Sequence, residues 1–379
     1  MRVDILDDLS TVEPEAWNAL VGQDDPFVEH AFLRSLEVTD CVGGDSGWQP
    51  CHVTLWLGQR LVGAMPLYLK SHSYGEYIFD WTWAEAALQA GIPYYPKLVA
   101  MVPFTPATGR RLLFSADQDP DEVRLALLRA ARELAQQLDV SSLHLMFLSE
   151  QEQALVKRHG ELMPRTSCQF QWLNRGYRTF DQFLASLRAQ ARKQLRRERR
   201  RVHEAGLDVQ VVPGPELDQA QWGALFEFYR STCRRKGSYP YLNQRFFQEI
   251  RKTHAKRVLA VFASRERQVV AATLNFEKGR RIYGRYWGCR AHYDGLHFEL
   301  CYYRLIERAI ELGMDAFEAG AQGTHKLRRG LMPAPVHSAH WIRNPKLAGA
   351  VRDYLPCETR AVQGEMRVLA AHGPFRREG

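Results

Sequence analysis

Hydrophobic positions along the chain change period repeatedly, and each change marks an element. HVTLWLG (52–58) and LVGAMPLYLK (61–70) read as β-strands around a polar Gly58-Gln59-Arg60 turn, a hairpin signal. GEYIFD (75–80) is expected as another strand. In DEVRLALLRAARELAQQLD (121–139), Val123, Leu127, Leu128, Ala131, Leu134 and Leu138 recur at helical spacing behind an acidic start, which predicts a helix of about five turns. SSLHLMFLS (141–149) then reads as a short buried strand. Helix followed by apolar strand is the grammar of an α/β layer fold.

The second half repeats that grammar. Residues 258–288 predict three strands joined by tight polar turns at 264–267 and 278–280. LHFELCYYRLIERAIELG (296–313) predicts an amphipathic helix closed by Gly313, and MDAFEAG (314–320) the next strand. Laid on one another, LVGAMPLYLK and VVAATLNFEK match in pattern, Val62 against Val270 and Lys70 against Lys278, each followed by an aromatic strand. Two tandem copies of one α/β module are therefore expected, 1–165 and 166–379.

Between the copies, the charge pattern is unusual. FDQFLASL starts an apolar helical face, and RAQARKQLRRERRR (188–201) continues it with eight cations against Glu198 alone, so one basic helix is expected over 180–204. Arg192, Lys193, Arg196, Arg197 and Arg200 repel as helical neighbours, which an anionic ligand would relieve. The overall net charge is only +8, so the excess is local.

Composition narrows the class. With 379 residues, 45% hydrophobic and 25% charged, the chain is of ordinary globular type, neither disordered nor fibrous. No run approaches the roughly 18 apolar residues of a membrane-spanning helix, and the acidic opening MRVDILDDLS lacks a signal-peptide pattern, so a cytoplasmic protein is expected. Seven scattered cysteines form no C-x-x-C pair, so neither a disulfide framework nor a metal site is expected.

Three segments carry candidate chemistry. EAGAQGTHKLRRG (318–330) follows a strand with glycines, cations and His325, at the end of a sheet where α/β folds gather ligands. WGCRAHYDGLHFELCYY (287–303) places His297 and Glu299 at a helix start. FDWTWAEAALQAGIPYYPKL (79–98) sets Asp80 and Glu85 among Trp81, Trp83, Tyr94 and Tyr95. No nucleophile elbow, Ser/His/Asp triad or H-E-x-x-H site is legible, which removes the best support for a hydrolase.

In these segments, with RKQLRRERRRV and GRYWG, the chain resembles the bacterial predicted N-acyltransferases of the GNAT superfamily, of peptidoglycan biosynthesis or recognition type and related to the Fem-type aminoacyl transferases. The resemblance implies an α/β (α+β) fold of two tandem GNAT-like (acyl-CoA N-acyltransferase) modules with the basic helix between them. It also implies direct acyl transfer to an amine, with no tightly bound cofactor and with acyl-CoA or aminoacyl-tRNA as donor. A typical GNAT holds the coenzyme A pyrophosphate on an R/Q-x-x-G-x-G/A loop; here residues 289–296 read CRAHYDGL, without that glycine pattern. The catalytic residues expected are Glu318 or His325 as base, with Glu299. Substrate contacts are expected from Asp80, Trp81, Trp83, Glu85, Tyr95, Lys97, Tyr286, His297, Gln322, Lys326 and Arg329. The alternative is a non-catalytic module that binds RNA or another anionic polymer through the basic helix.

Overall fold

The computed structural model describes residues 1–320 and 323–376. They form two compact units: Met1–Ser167 with Pro335–Gly364, and Cys168–Ala334 with the residues from Glu365. The first division falls beside the expected 165, but 335–364, expected in the second module, returns to unit one. The cause is a strand: the later part of Met332–Ile342 pairs antiparallel with Ser142–Leu148, His340 opposite His144.

Unit one holds a four-stranded antiparallel sheet, in the order Arg2–Leu6, His52–Leu57, Arg60–Met65 and Leu113–Phe114. A second set runs Trp48–Pro50, Tyr68–Lys70, Lys97–Ala100, Ser142–Leu148 and Met332–Ile342. LVGAMPLYLK is one strand by pattern and two in the fold. Pro66 has no N–H for a ladder, so Arg60–Met65 stays with His52–Leu57 while Tyr68–Lys70 pairs with Lys97–Ala100. GEYIFD forms no strand at all. Gly75 and Tyr77 have φ of +84° and +63°, left-handed backbone that breaks a two-residue alternation, and the helix Trp81–Gln89 follows.

The predicted long helix is Pro120–Gln137. Asp119 caps it by accepting from the N–H groups of Asp121 and Glu122, and proline takes its first position. Val123, Leu127, Leu128, Ala131 and Leu134 are buried against Val53, Leu55, Leu143 and Leu145 in the core of this unit.

A buried histidine pair pins the Met332–Ile342 strand. His144 and His340 are wholly buried with their Nδ1 atoms 2.6 Å apart, and each Nε2 meets a serine, Ser142 Oγ at 2.7 Å and Ser338 Oγ at 2.9 Å. One Nδ1 must donate and the other accept, so the two rings cannot both be protonated. Burial first, then nearby cations, push His144 down to about 3 and His340 well below its usual range. The unfolded chain takes up protons below about pH 6.5 while the folded pair does not, so acid favours unfolding. Stability should therefore fall as pH drops below 6.5, by up to about 1.4 kcal/mol per pH unit for each ring. Urea titrations between pH 7 and 4 measure this, and a His144→Phe/His340→Leu chain that keeps the same acid slope would refute it.

In unit two the three strands expected across 258–288 are Val258–Arg265, Gln268–Lys278 and Arg281–Cys289, antiparallel, with Asp208–Pro213 outside the first. The helix expected over 296–313 is interrupted. It runs Leu296–Phe298, a π-helical turn Glu299–Tyr303, then Arg304–Glu311, and Gly313 ends it at φ +63°. Single π turns recur at functional sites. The basic segment is two helices rather than one, Phe180–Ser186 and Ala189–Glu204. Leu187 between them is extended and wholly buried, bridging to Phe375, while the Arg188 N–H donates to Pro374 O at 2.8 Å. Burying Leu187 beside the C-terminal segment outweighs continuing the helix through it.

Candidate functional site

Among the described residues each unit contains a parallel step, where a strand, a crossing helix and a second strand lie side by side. In unit two the step joins Arg281–Cys289 to Ala316–Glu318, with Arg281 opposite Ala316 and Tyr283 opposite Glu318. Among the described residues that ladder covers three positions. The longer strand then carries on to Cys289, while Ala319 keeps to its other neighbour by donating to Phe170 O at 3.3 Å. In unit one the corresponding step joins Lys97–Ala100 to Ser142–Leu148. There Gly109 fills the space beyond it, bridging to Leu148 and donating to Phe147 O at 3.1 Å. Arg111 is wholly buried beside it, on Met146 O, Ala107 O and the Asp25 carboxylate. The step of unit one is plugged by its own chain.

His325 stands at the unit-two step, on the short helix Thr324–Arg329. Its imidazole is exposed yet fixed. Nε2 lies 3.0 Å from the buried Tyr302 hydroxyl, and the rings of His297, Phe298 and Tyr302 surround it with centroids 5.9–6.1 Å away. Gly323 supplies the space: a Cβ there would meet the ring's Cε1 at 2.3 Å. The π turn sets Tyr302 in this register. Burial, then the cations of Lys326 and Arg329, push His325 below the ordinary histidine range, so it is a neutral base at pH 7. Burial, then His325, push His297 down to about 4. His297 packs edge-on against Trp287 at 5.0 Å.

Lys326 is buried and sews the end of the strand. Its Nζ donates to Ala319 O at 2.6 Å and Gly320 O at 2.8 Å, and burial lowers it to about 8. One hydrogen of the ammonium remains for a ligand. Arg329, expected at the substrate, is taken up inside the fold. It pairs with Glu198 at 2.8 Å, donates to His325 O at 2.7 Å and lies 3.2 Å over the Phe298 ring. Glu198, the one acid within 188–201, also accepts from the Tyr303 hydroxyl.

The two carboxylates expected as catalytic are each engaged in ion pairs. Glu318 is buried and ion-paired to Arg281 at 3.1 Å. Glu299 is buried between Arg199 at 3.1 Å and Arg304 at 3.8 Å, in a network shared with Glu307. Tyr286 stacks edge-on against Tyr229 at 4.7 Å. Gln322 lies outside the described residues.

In unit one the expected contacts divide. Lys97 is wholly buried and donates to Asp80 Oδ2 at 2.5 Å, Glu76 Oε2 at 2.9 Å and Ser73 Oγ at 2.7 Å, while the Tyr94 hydroxyl donates to Asp80 Oδ2 at 2.6 Å and Tyr95 OH meets Ser73 Oγ at 2.8 Å. Burial alone would raise Asp80, but Lys97 outweighs it and holds the carboxyl at about 2. Trp83 is buried under Arg165, 4.7 Å from its ring. Trp81 is exposed and packs edge-on against Tyr74. Glu85 is exposed on its helix and joins none of these contacts. Sequence reading missed Lys70, Ser73 and Glu76 in this cluster. The one signal for Lys70 was its match to Lys278 at the end of a buried strand.

On Ala189–Glu204, Lys193, Arg196, Arg197 and Arg200 face solvent as one stripe at i, i+3, i+4 and i+7. Arg192 instead bends back to Leu187 O at 3.5 Å, and Arg199 turns to Glu299 and Glu307. A hollow of about 600 Å³ lined by Trp222, Phe226 and Phe247 lies between the helices Gln219–Arg235 and Gln244–Thr253, and none of the residues above lines it. Among the described residues no cluster of three metal-ligating side chains is present, and no helix is long and apolar enough to cross a membrane.

The fold is that of two tandem GNAT-like modules, and solved structures share it. FemX matches over 93% of this chain and 100% of its own, at a TM-score of 0.55 and 11% identity. L-PGS from Bacillus licheniformis matches over 99% and 100%, at 0.54 and 12%. The C-terminal domain of a putative lysylphosphatidylglycerol synthetase from Agrobacterium fabrum matches over 89% and 94%, at 0.55 and 10%. No curated protein matches the sequence. The model of one family, FemAB-like, matches residues 8–377, nearly the whole chain. The chain belongs to this FemAB-like family, described as peptidoglycan biosynthesis/recognition.

Proposed function

We propose that unit two is an N-acyltransferase that moves an aminoacyl or acyl group onto an amine in peptidoglycan-related metabolism. The observation that carries this reading is the caged, exposed, neutral imidazole of His325 at the end of a parallel ladder of three positions, with the Lys326 ammonium next to it in the chain. The attacking nitrogen arrives as an ammonium. His325 removes its proton, the nitrogen adds to the carbonyl carbon, and the carbonyl oxygen takes up the charge. The remaining Lys326 hydrogen stabilises that oxyanion. On collapse the proton held by His325 passes to the departing oxygen or sulfur, the nitrogen gives its second proton to the freed imidazole and through it to solvent, and the amide remains. No covalent enzyme intermediate is needed.

An ester donor of the aminoacyl-tRNA type is favoured over a thioester of coenzyme A. The helix that follows the strand Arg281–Cys289 would present its N-terminus to a pyrophosphate, but here Gly295 abuts the basic helix: a Cβ on it would meet Glu198 O at 2.9 Å. Asp294 beside it is paired with Arg201. Thermal-shift and native mass-spectrometric titration with charged tRNA, acetyl-coenzyme A and longer acyl-coenzyme A species tests the donor. Stabilisation by coenzyme A species alone would overturn this choice.

The solvent-facing stripe supports a second reading, a module that binds a polyanion without catalysis. Four phosphate contacts predict that log K for RNA falls against log salt with a slope of about −3 to −4. Binding that persists unchanged from 50 to about 200 mM salt would remove a phosphate-contacting role for the stripe.

A further inference from the structure

Unit one holds a charged cluster that acyl transfer does not use. Lys70 and Lys97 are directly opposed across the pair Tyr68–Lys70 and Lys97–Ala100, and both are wholly buried. Like charges so placed repel, and burial outweighs the pull of Glu76 and lowers Lys70 to about 6; apolar side chains of the same volume would serve packing as well or better. Besides the aromatic rings beneath them, both amino groups find their partners in one stretch of chain, 72–80. Lys70 Nζ donates to Tyr74 O at 3.1 Å and lies 3.3 Å from His72 Nδ1 and 4.0 Å from Glu76 Oε1. Ser73, Glu76 and Asp80 take the three bonds of Lys97.

That stretch has the marks of a cover rather than of core. It turns through Gly75 and through Tyr77, a non-glycine residue held at φ +63° at some cost. It carries Tyr74, Phe79 and the adjoining Trp81 at 58, 44 and 40% exposure. Its two carboxylates are wholly buried yet half satisfied, since Glu76 Oε1 and Asp80 Oδ1 accept no hydrogen bond. Burial pushes Glu76 up to about 7 even against the pull of Lys97. A buried polar network kept for rigidity would be saturated.

We propose that Lys70 and Lys97 form a binding site for a small dicarboxylate, and that residues 72–80 are its lid, whose own Glu76 and Asp80 occupy the site when it is closed. The two lysines meet two carboxylates from the lid, so the ligand that displaces them carries two. This site is independent of transfer at His325.

Calorimetric titration of the full chain with glutarate tests it. Removing the internal competitor in Glu76→Gln/Asp80→Asn should tighten glutarate binding by about tenfold or more over the unaltered chain, and glutarate should raise the Tm of that variant. Adding Lys97→Met should abolish the gain. Gly75→Ala gives a second route, altering no charge. Its Cβ would meet the Phe104 ring at 2.7 Å on a backbone of φ +84°, which loosens the lid; it too should bind glutarate more tightly. Inorganic phosphate is titrated in parallel, and phosphate binding as tight as glutarate would overturn the dicarboxylate assignment. Lack of any gain in Gly75→Ala, or in the double variant where it folds by circular dichroism, would overturn the lid.

Discussion

His325→Ala is expected to lower amine acylation by about 10²- to 10⁴-fold, the usual contribution of a positioned general base, with little change in Tm. The imidazole is exposed and its loss removes one hydrogen bond, to Tyr302. Because burial and the adjacent cations lower its pKa, the unaltered enzyme should lose activity on the acid side of 6.5, and again above about 8, where Lys326 gives up the hydrogen it offers to the oxyanion. Tyr302→Phe should lower the maximum without removing it, since the ring cage persists while Nε2 loses its partner. Single-turnover rates across pH 5 to 9 measure both, and full activity in His325→Ala would transfer the base role to another group.

Lys97→Ala is expected to have the largest effect on stability, about 3–5 kcal/mol, the range for removing one partner of a buried ion pair. The loss leaves Asp80 as a wholly buried carboxylate whose remaining donor is the Tyr94 hydroxyl. Glu76, already near 7, relieves its own share by binding a proton. The cost should therefore shrink when Asp80→Asn is combined with Lys97→Met, a coupling that a double-mutant cycle in urea reads directly. Additive losses in that cycle would mean that the two groups do not act as a pair.

Legibility followed the range of the interactions. Pro120–Gln137 and the three strands across 258–288 were read correctly because each is written in a local period that the backbone enforces within a few residues. The basic helix was legible for the same reason, yet its break at Leu187 was not, because the partner, Phe375, is remote in sequence. GEYIFD misled because alternation does not reveal that Glu76 and Asp80 are drawn to lysines on two other strands.

The candidate site shows the same boundary. His325, Lys326 and His297 could be singled out by type and by their place after a strand. Whether an arginine or carboxylate there is available or consumed depended on who sits beside it: Arg329 meets Glu198, Glu299 meets Arg199, and Glu318 meets Arg281. By itself the sequence determined the periodic elements, the doubled α/β module and the concentration of charge on one helix, all properties of neighbours along the chain. Only the tertiary structure decided which imidazole stays exposed, which cations face water and which charges cancel, because those depend on burial and on partners that folding brings together from distant positions.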